Sequence, residues 1–235
     1  MNKRIKWIDI AKGMLIILVV LGHIIPISGR ASTTVYGLWF LPCLFLAELA
    51  MYWVKRLNEK SFIKAMSLFV LLCMACIAIN IVTGVISIIS IFPIAIVFLI
   101  LGILVRNRCE IIAKRKLWIC IVSVIFFISV VVLNYSVTGY AVDLSSMVLG
   151  FWPLYIISSL FGSIFLCSTA MLLEDFKVFS ILGRDSLYYY GLHYEVLGVI
   201  EKIVPWGVMQ TALTFIVLFP IVTAYKKTMI TLRRS

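Results

Sequence analysis

Apolar residues in this chain fall in long blocks, and short clusters of charge separate them. The block lengths approach the ~20 residues that a helix rising ~1.5 Å per residue needs to cross a ~30 Å hydrocarbon core. The pattern predicts spans at approximately 7–27, 38–54, 62–82, 86–105, 117–133, 147–173, 186–200 and 207–225, the seventh being the shortest. The expected fold is an all-α integral membrane protein, a polytopic bundle of about eight transmembrane helices, forming one domain over 1–235. No connection is longer than about 15 residues, so any chemistry is expected within the membrane or at its faces.

The basic residues orient the bundle. With an even number of crossings both termini share one side. That side collects Lys3, Arg4 and Lys6, then Lys55, Arg56, Lys60 and Lys64, then Arg106, Arg108, Lys114, Arg115 and Lys116, and finally Lys177, Arg184, Lys226, Lys227, Arg233 and Arg234. The other side holds Arg30 and Lys202, and Lys12 sits inside the first span, which accounts for all 21 Lys and Arg. Because cytoplasmic loops carry the excess of Lys and Arg, both termini are expected in the cytoplasm of a cell (inner or plasma) membrane.

Composition narrows the classes further. The chain is 63% hydrophobic and 13% charged, with a mean hydropathy of +1.15, against roughly 45–50% and about 25% in a soluble domain. A net charge of +11 would point to nucleic acid if it formed one patch on a soluble face. Spread between apolar blocks, it reads as membrane topology, with the lipid bilayer and not nucleic acid as partner. Of six cysteines, five lie inside apolar blocks, so no disulfide framework is expected. Cys73 and Cys76 form a CxxC within a span and find no second pair for a metal site. Asp9 and Lys12 interrupt the first apolar stretch, which therefore reads as a retained helix and not a cleaved signal. Asn134-Tyr135-Ser136 is a formal glycosylation sequon on the external side.

Ionisable groups inside spans cost roughly 2.5–3.5 kcal/mol each on insertion scales, and so need a cavity or a partner. Here they are Asp9, Lys12, His23, Glu48, His193 and Glu195. The eleven-residue step from Lys12 to His23 leaves about 20° of rotation and about 16 Å of rise, so one face of the first helix carries a cation toward the cytoplasm and an imidazole toward the outside. Spacing alone leaves the plain alternative open: Asp9 and Lys12 neutralise each other, Lys12 snorkels to the headgroups, and the histidines pack between helices.

Three segments resemble the membrane acyltransferase-3 family. Trp7-Ile8-Asp9-Ile10-Ala11-Lys12-Gly13, continuing through Leu18-Val19-Val20-Leu21-Gly22-His23, looks like its opening helix, with an Asp, a basic residue, ten intervening residues and a histidine. Leu38-Trp39-Phe40-Leu41-Pro42 through Phe45-Leu46-Ala47-Glu48-Leu49 resembles a second family element. Leu182-Gly183-Arg184-Asp185-Ser186-Leu187 through Tyr190 to His193 resembles its Gly-Lys-x-Ser-Leu…Tyr…His element.

The resemblance is strongest toward the sugar O-acetylase branch. It implies an acyl-CoA-dependent O-acyltransferase that moves an acetyl group from cytoplasmic acetyl-CoA to a hydroxyl of an envelope sugar, a polysaccharide precursor or a lipid-linked glycan, without a metal. Carried over by position, His23 is the catalytic histidine, Lys12 with Asp9 serves the acyl donor, and Trp39, Glu48 and His193 line the acceptor side.

The chain departs from the family in length. Its relatives have around ten spans, and a second-helix region expected after His23 is missing, since only the residues between about 27 and 38 join the two elements. Two other readings therefore stand beside the enzyme: a catalytically silent remnant or an accessory membrane protein of polysaccharide assembly. A small-solute transporter would show paired broken helices, which Pro93 and Pro153 do not make. Even without the second-helix region, Lys12 and His23 are expected to face an enclosed polar cavity and not lipid, with at least one of Glu48, Trp39 and His193 within side-chain reach of His23.

Overall fold

The computed structural model describes residues 5–24, 40–58, 88–106, 108–140, 150–205 and 207–232, with isolated positions between 64 and 78 and at 142 and 148. Among the described residues the chain is helical: α1 (Lys6–Ile24), α2 (Phe40–Asn58), α3 (Ile88–Arg106), α4 (Cys109–Lys114), α5 (Lys116–Thr138), α6 (Trp152–Leu172), α7 (Lys177–Arg184), α8 (Ser186–Ile200) and α9 (Gly207–Leu232). Helices stand over seven of the eight expected segments, and the expected span 62–82 lies mostly outside the described residues. Three helices are long and apolar enough to cross a bilayer: α5, α6 and the Gly207–Thr228 part of α9. At 15 residues α8 is shorter than the ~20 a perpendicular crossing requires. The apolar run of α3, Pro93–Ile103, is also short.

The surface of α5 identifies its solvent. Ile125, Phe126, Ile128 and Val132 are each at least half exposed, an apolar face that fits a hydrocarbon surrounding. The helix ends where Gly139 adopts φ 76°, a left-handed conformation that costs glycine nothing, and the Gly139 N–H donates to the Tyr135 carbonyl at 2.7 Å. In α6, Pro153 occupies the first turn, where its missing N–H is no loss. α9 runs beyond the expected end at 225 and carries Lys226 and Lys227 out on continuing helix.

The helices form two compact units. One comprises Met1–Thr33, Lys116–Ile121 and Ser163–Ser235, and holds α1, α7, α8 and α9. Its core joins Ile16 of α1 to Leu182, Tyr189, Leu218 and Val222, and a second cluster packs Ile10 and Ala11 against Ala170, with Phe179 alongside. Lys116 donates to the Met171 carbonyl at 3.0 Å, placing a cation at the C-terminal end of α6, where the helix dipole favours it. The other unit comprises Thr34–Arg115 and Val122–Gly162. There Ala47 of α2 packs on Ile96 of α3, the Phe98 and Tyr155 rings meet edge-on at 5.8 Å, and Phe126 stacks on Phe161 at 5.0 Å.

Candidate functional site

In the first unit the backbones of α1 and α7 touch. A Cβ placed on Gly13 would lie 2.1 Å from the Phe179 carbonyl oxygen, and one on Gly183 would lie 1.6 Å from the Asp9 carbonyl oxygen and 2.8 Å from the Gly13 nitrogen. No side chain fits there, so glycine is required on both helices. These two residues belong to the Asp9-to-Gly13 and Leu182-to-Ser186 segments, far apart in sequence. The fold therefore brings two of the three resembling segments into direct contact.

Around this crossing the candidate residues take distinct environments. Asp9 is buried at 7% exposure, whereas Lys12, three residues on, is exposed. This corrects the expectation that Lys12 faces an enclosed cavity. The physical reason is the glycine crossing: Gly183 sits against the Asp9 backbone, which leaves that side of α1 no room and turns Lys12 outward. His23 belongs to the last turn of α1, and its side chain lies outside the described residues, as does Trp39.

His193 is fully buried on α8. Its Nδ1–H donates to the Tyr190 carbonyl at 2.7 Å. A neutral ring held this way carries its lone pair on Nε2, which is also buried. The ring lies 5.6 Å from the Tyr190 ring and stands edge-on to Tyr194 at 6.4 Å. Glu48, by contrast, is exposed on α2 in the other unit. The structure thus gathers Asp9, Lys12 and His193 in one unit and leaves Glu48 in another.

Reading the sequence missed the ion pair that locks the turn between α7 and α8. Lys226 Nζ of α9 lies 2.6 Å from Asp185 Oδ1. The pairing spans 41 residues, and only the antiparallel return of α9 along α8 brings it about, so local spacing held no signal for it. The formal sequon falls on a buried helical side chain. Asn134 is helical and 2% exposed, and its amide oxygen accepts the Phe151 N–H at 2.9 Å. A glycan could not be attached to it. Among the described residues no group of three His, Cys, Asp or Glu is placed to hold a metal ion.

A family model described as an acyltransferase domain matches residues 28–225 of the chain. The Leu38–Leu49 and Leu182–His193 segments fall inside the match, and the Trp7–His23 segment precedes it. No curated protein and no solved structure matches the chain.

Proposed function

The chain belongs to the acyltransferase-3 family, and from that premise we propose a membrane O-acyltransferase that moves an acetyl group from cytoplasmic acyl-CoA to a hydroxyl of an envelope sugar or lipid-linked glycan. The reading places it in the sugar O-acetylase branch, as a shortened member with eight crossings and both termini in the cytoplasm. The observation that carries it is the Gly13–Gly183 contact. Through that contact the first helix, which precedes the matched residues, packs directly on a segment inside the match.

In this reaction His23 takes the proton of the acceptor hydroxyl as its oxygen attacks the thioester carbonyl. The carbon–sulfur bond breaks, and the CoA thiolate leaves with a proton returned from the imidazolium. A positioned base of this kind is worth about 10²–10⁴-fold in rate. Lys12, exposed beside the crossing, serves the donor as a cation.

Acetyl transfer by purified protein in lipid nanodiscs tests the proposal. His23→Ala is expected to lose turnover by at least about 10²-fold while inserting normally. Lys12→Ala should raise KM for acetyl-CoA, and Lys12→Arg should restore part of the loss because charge is kept although geometry differs. Full activity in His23→Ala would end the catalytic assignment. A wild-type chain that never transfers acetyl would favour the silent or accessory reading, which the missing second-helix region motivates.

A further inference from the structure

Two exposed cations flank the glycine crossing: Lys12 precedes Gly13, and Arg184 follows Gly183. Since the Gly183 Cβ position lies 2.8 Å from the Gly13 nitrogen, covalent geometry holds the Cα atoms of Lys12 and Arg184 within about 11 Å of each other. Two long basic side chains starting from that separation can close on one phosphate. The carboxylates nearby leave this charge standing. Asp185, next to Arg184, is engaged by Lys226 at 2.6 Å, Asp9 is buried, and Glu174 and Asp175 lie beyond the opposite end of α7.

We propose that Lys12 and Arg184 form a two-cation clamp for a phosphate group, with the Gly13–Gly183 crossing setting their spacing. On the acyltransferase reading, on which this assignment rests, the phosphates of the acyl donor occupy it. Arg184 supplies a planar fork for paired phosphate oxygens and Lys12 a mobile point charge. Because neither glycine can accept a side chain, the close crossing sets the backbone spacing from which the two side chains close on the anion.

The full-length chain, in nanodiscs of phosphatidylcholine alone or with phosphatidylglycerol, is titrated with CoA and with inorganic pyrophosphate. KM and kcat are measured for acetyl-CoA and for S-acetylpantetheine, which lacks phosphates. Arg184→Gln and Lys12→Gln should each weaken CoA and pyrophosphate binding by roughly tenfold. The double variant should lose less than the product of the two, because the cations share one anion. Arg184→Gln should raise KM for acetyl-CoA with kcat kept, leave S-acetylpantetheine untouched, and be partly rescued by Arg184→Lys at an unchanged unfolding temperature.

Binding of CoA and pyrophosphate unaltered by Arg184→Gln, or effects that simply multiply, would overturn the clamp while leaving transfer intact. An Arg184→Gln effect present only with phosphatidylglycerol would assign the clamp to an anionic lipid headgroup and overturn the donor assignment. Pyrophosphate held by both cations in a chain that never transfers acetyl would sink the acyltransferase reading and keep the clamp.

Discussion

Asn134 shows how a single side chain joins two helices that the sequence presents as separate blocks. Buried near the end of α5, it accepts the Phe151 N–H at 2.9 Å, just ahead of α6, and so satisfies one of the donors that a helix N-terminus leaves orphaned. Gly150 beside it has φ 67°, and a Cβ there would lie 2.6 Å from the Asn134 amide oxygen. Asn134→Ala should therefore cost about 1–2 kcal/mol, as loss of a cap does. Gly150→Ala should cost at least as much, from left-handed strain plus the clash. Since Asn134→Ala removes the atom that a new Cβ would strike, the double variant should lose less than the sum, and thermal unfolding of the four proteins in detergent measures this. Expression in a secretory-pathway host should leave Asn134 without a glycan, as a mass shift would report; occupancy there would mean that α5 ends before residue 134.

At the scale of elements, the long apolar blocks were legible because hydrocarbon imposes one length on them, and helices α1, α2, α3, α5, α6, α8 and α9 stand where the blocks predicted. The short helices α4 and α7 were not. At six and eight residues they lie below any crossing length and resemble loops to a search for apolar runs. The site was legible only in pieces. Lys12, Gly183 and His193 could be named from their motifs, but the contact of α1 with α7 depends on two glycines 170 positions apart in a chain of 235 residues, and neither carries a sign of its partner. That contact makes a sharp prediction. Gly13→Ala and Gly183→Ala should each destabilise by about 1–3 kcal/mol as overpacking does, because the atoms in the way are backbone. Gly191→Ala on α8 meets nothing within 4 Å and should be neutral or slightly stabilising, since alanine favours helix. Equal unfolding temperatures for all three variants would show that α1 and α7 do not touch.

For the whole molecule the governing fact is the distribution of charge over a chain with little of it. Each crossing reverses the side on which the next loop falls, so a miscounted span would scatter the basic residues over both faces, whereas the expected eight crossings would leave only Arg30 and Lys202 outside. Insertion costs point the same way, because carrying the cluster Arg106, Arg108, Lys114 and Arg115 across the bilayer would far exceed the energy of any single misplaced helix. All four are exposed around α4, free to meet water and headgroups at one face. Single cysteines introduced near Lys60, Lys114 and Asp185 should therefore be shielded from a membrane-impermeant maleimide in intact cells and labelled after permeabilisation, while those near Thr33 and Asp143 should react in intact cells. The native Cys109 is a useful internal reference. It lies between Arg108 and Glu110 on the same expected side, and burial pushes its thiol above its ordinary value, with Arg106 pulling partly back. Since the thiolate is the reacting species, Cys109 should label more slowly than an exposed cysteine near Lys114 at neutral pH, and the gap should narrow as pH rises. Labelling of a cysteine near Lys114 in intact cells would place the α4 loop outside, break the eight-span count, and remove the cytoplasmic donor side on which the roles of Lys12 and Arg184 depend.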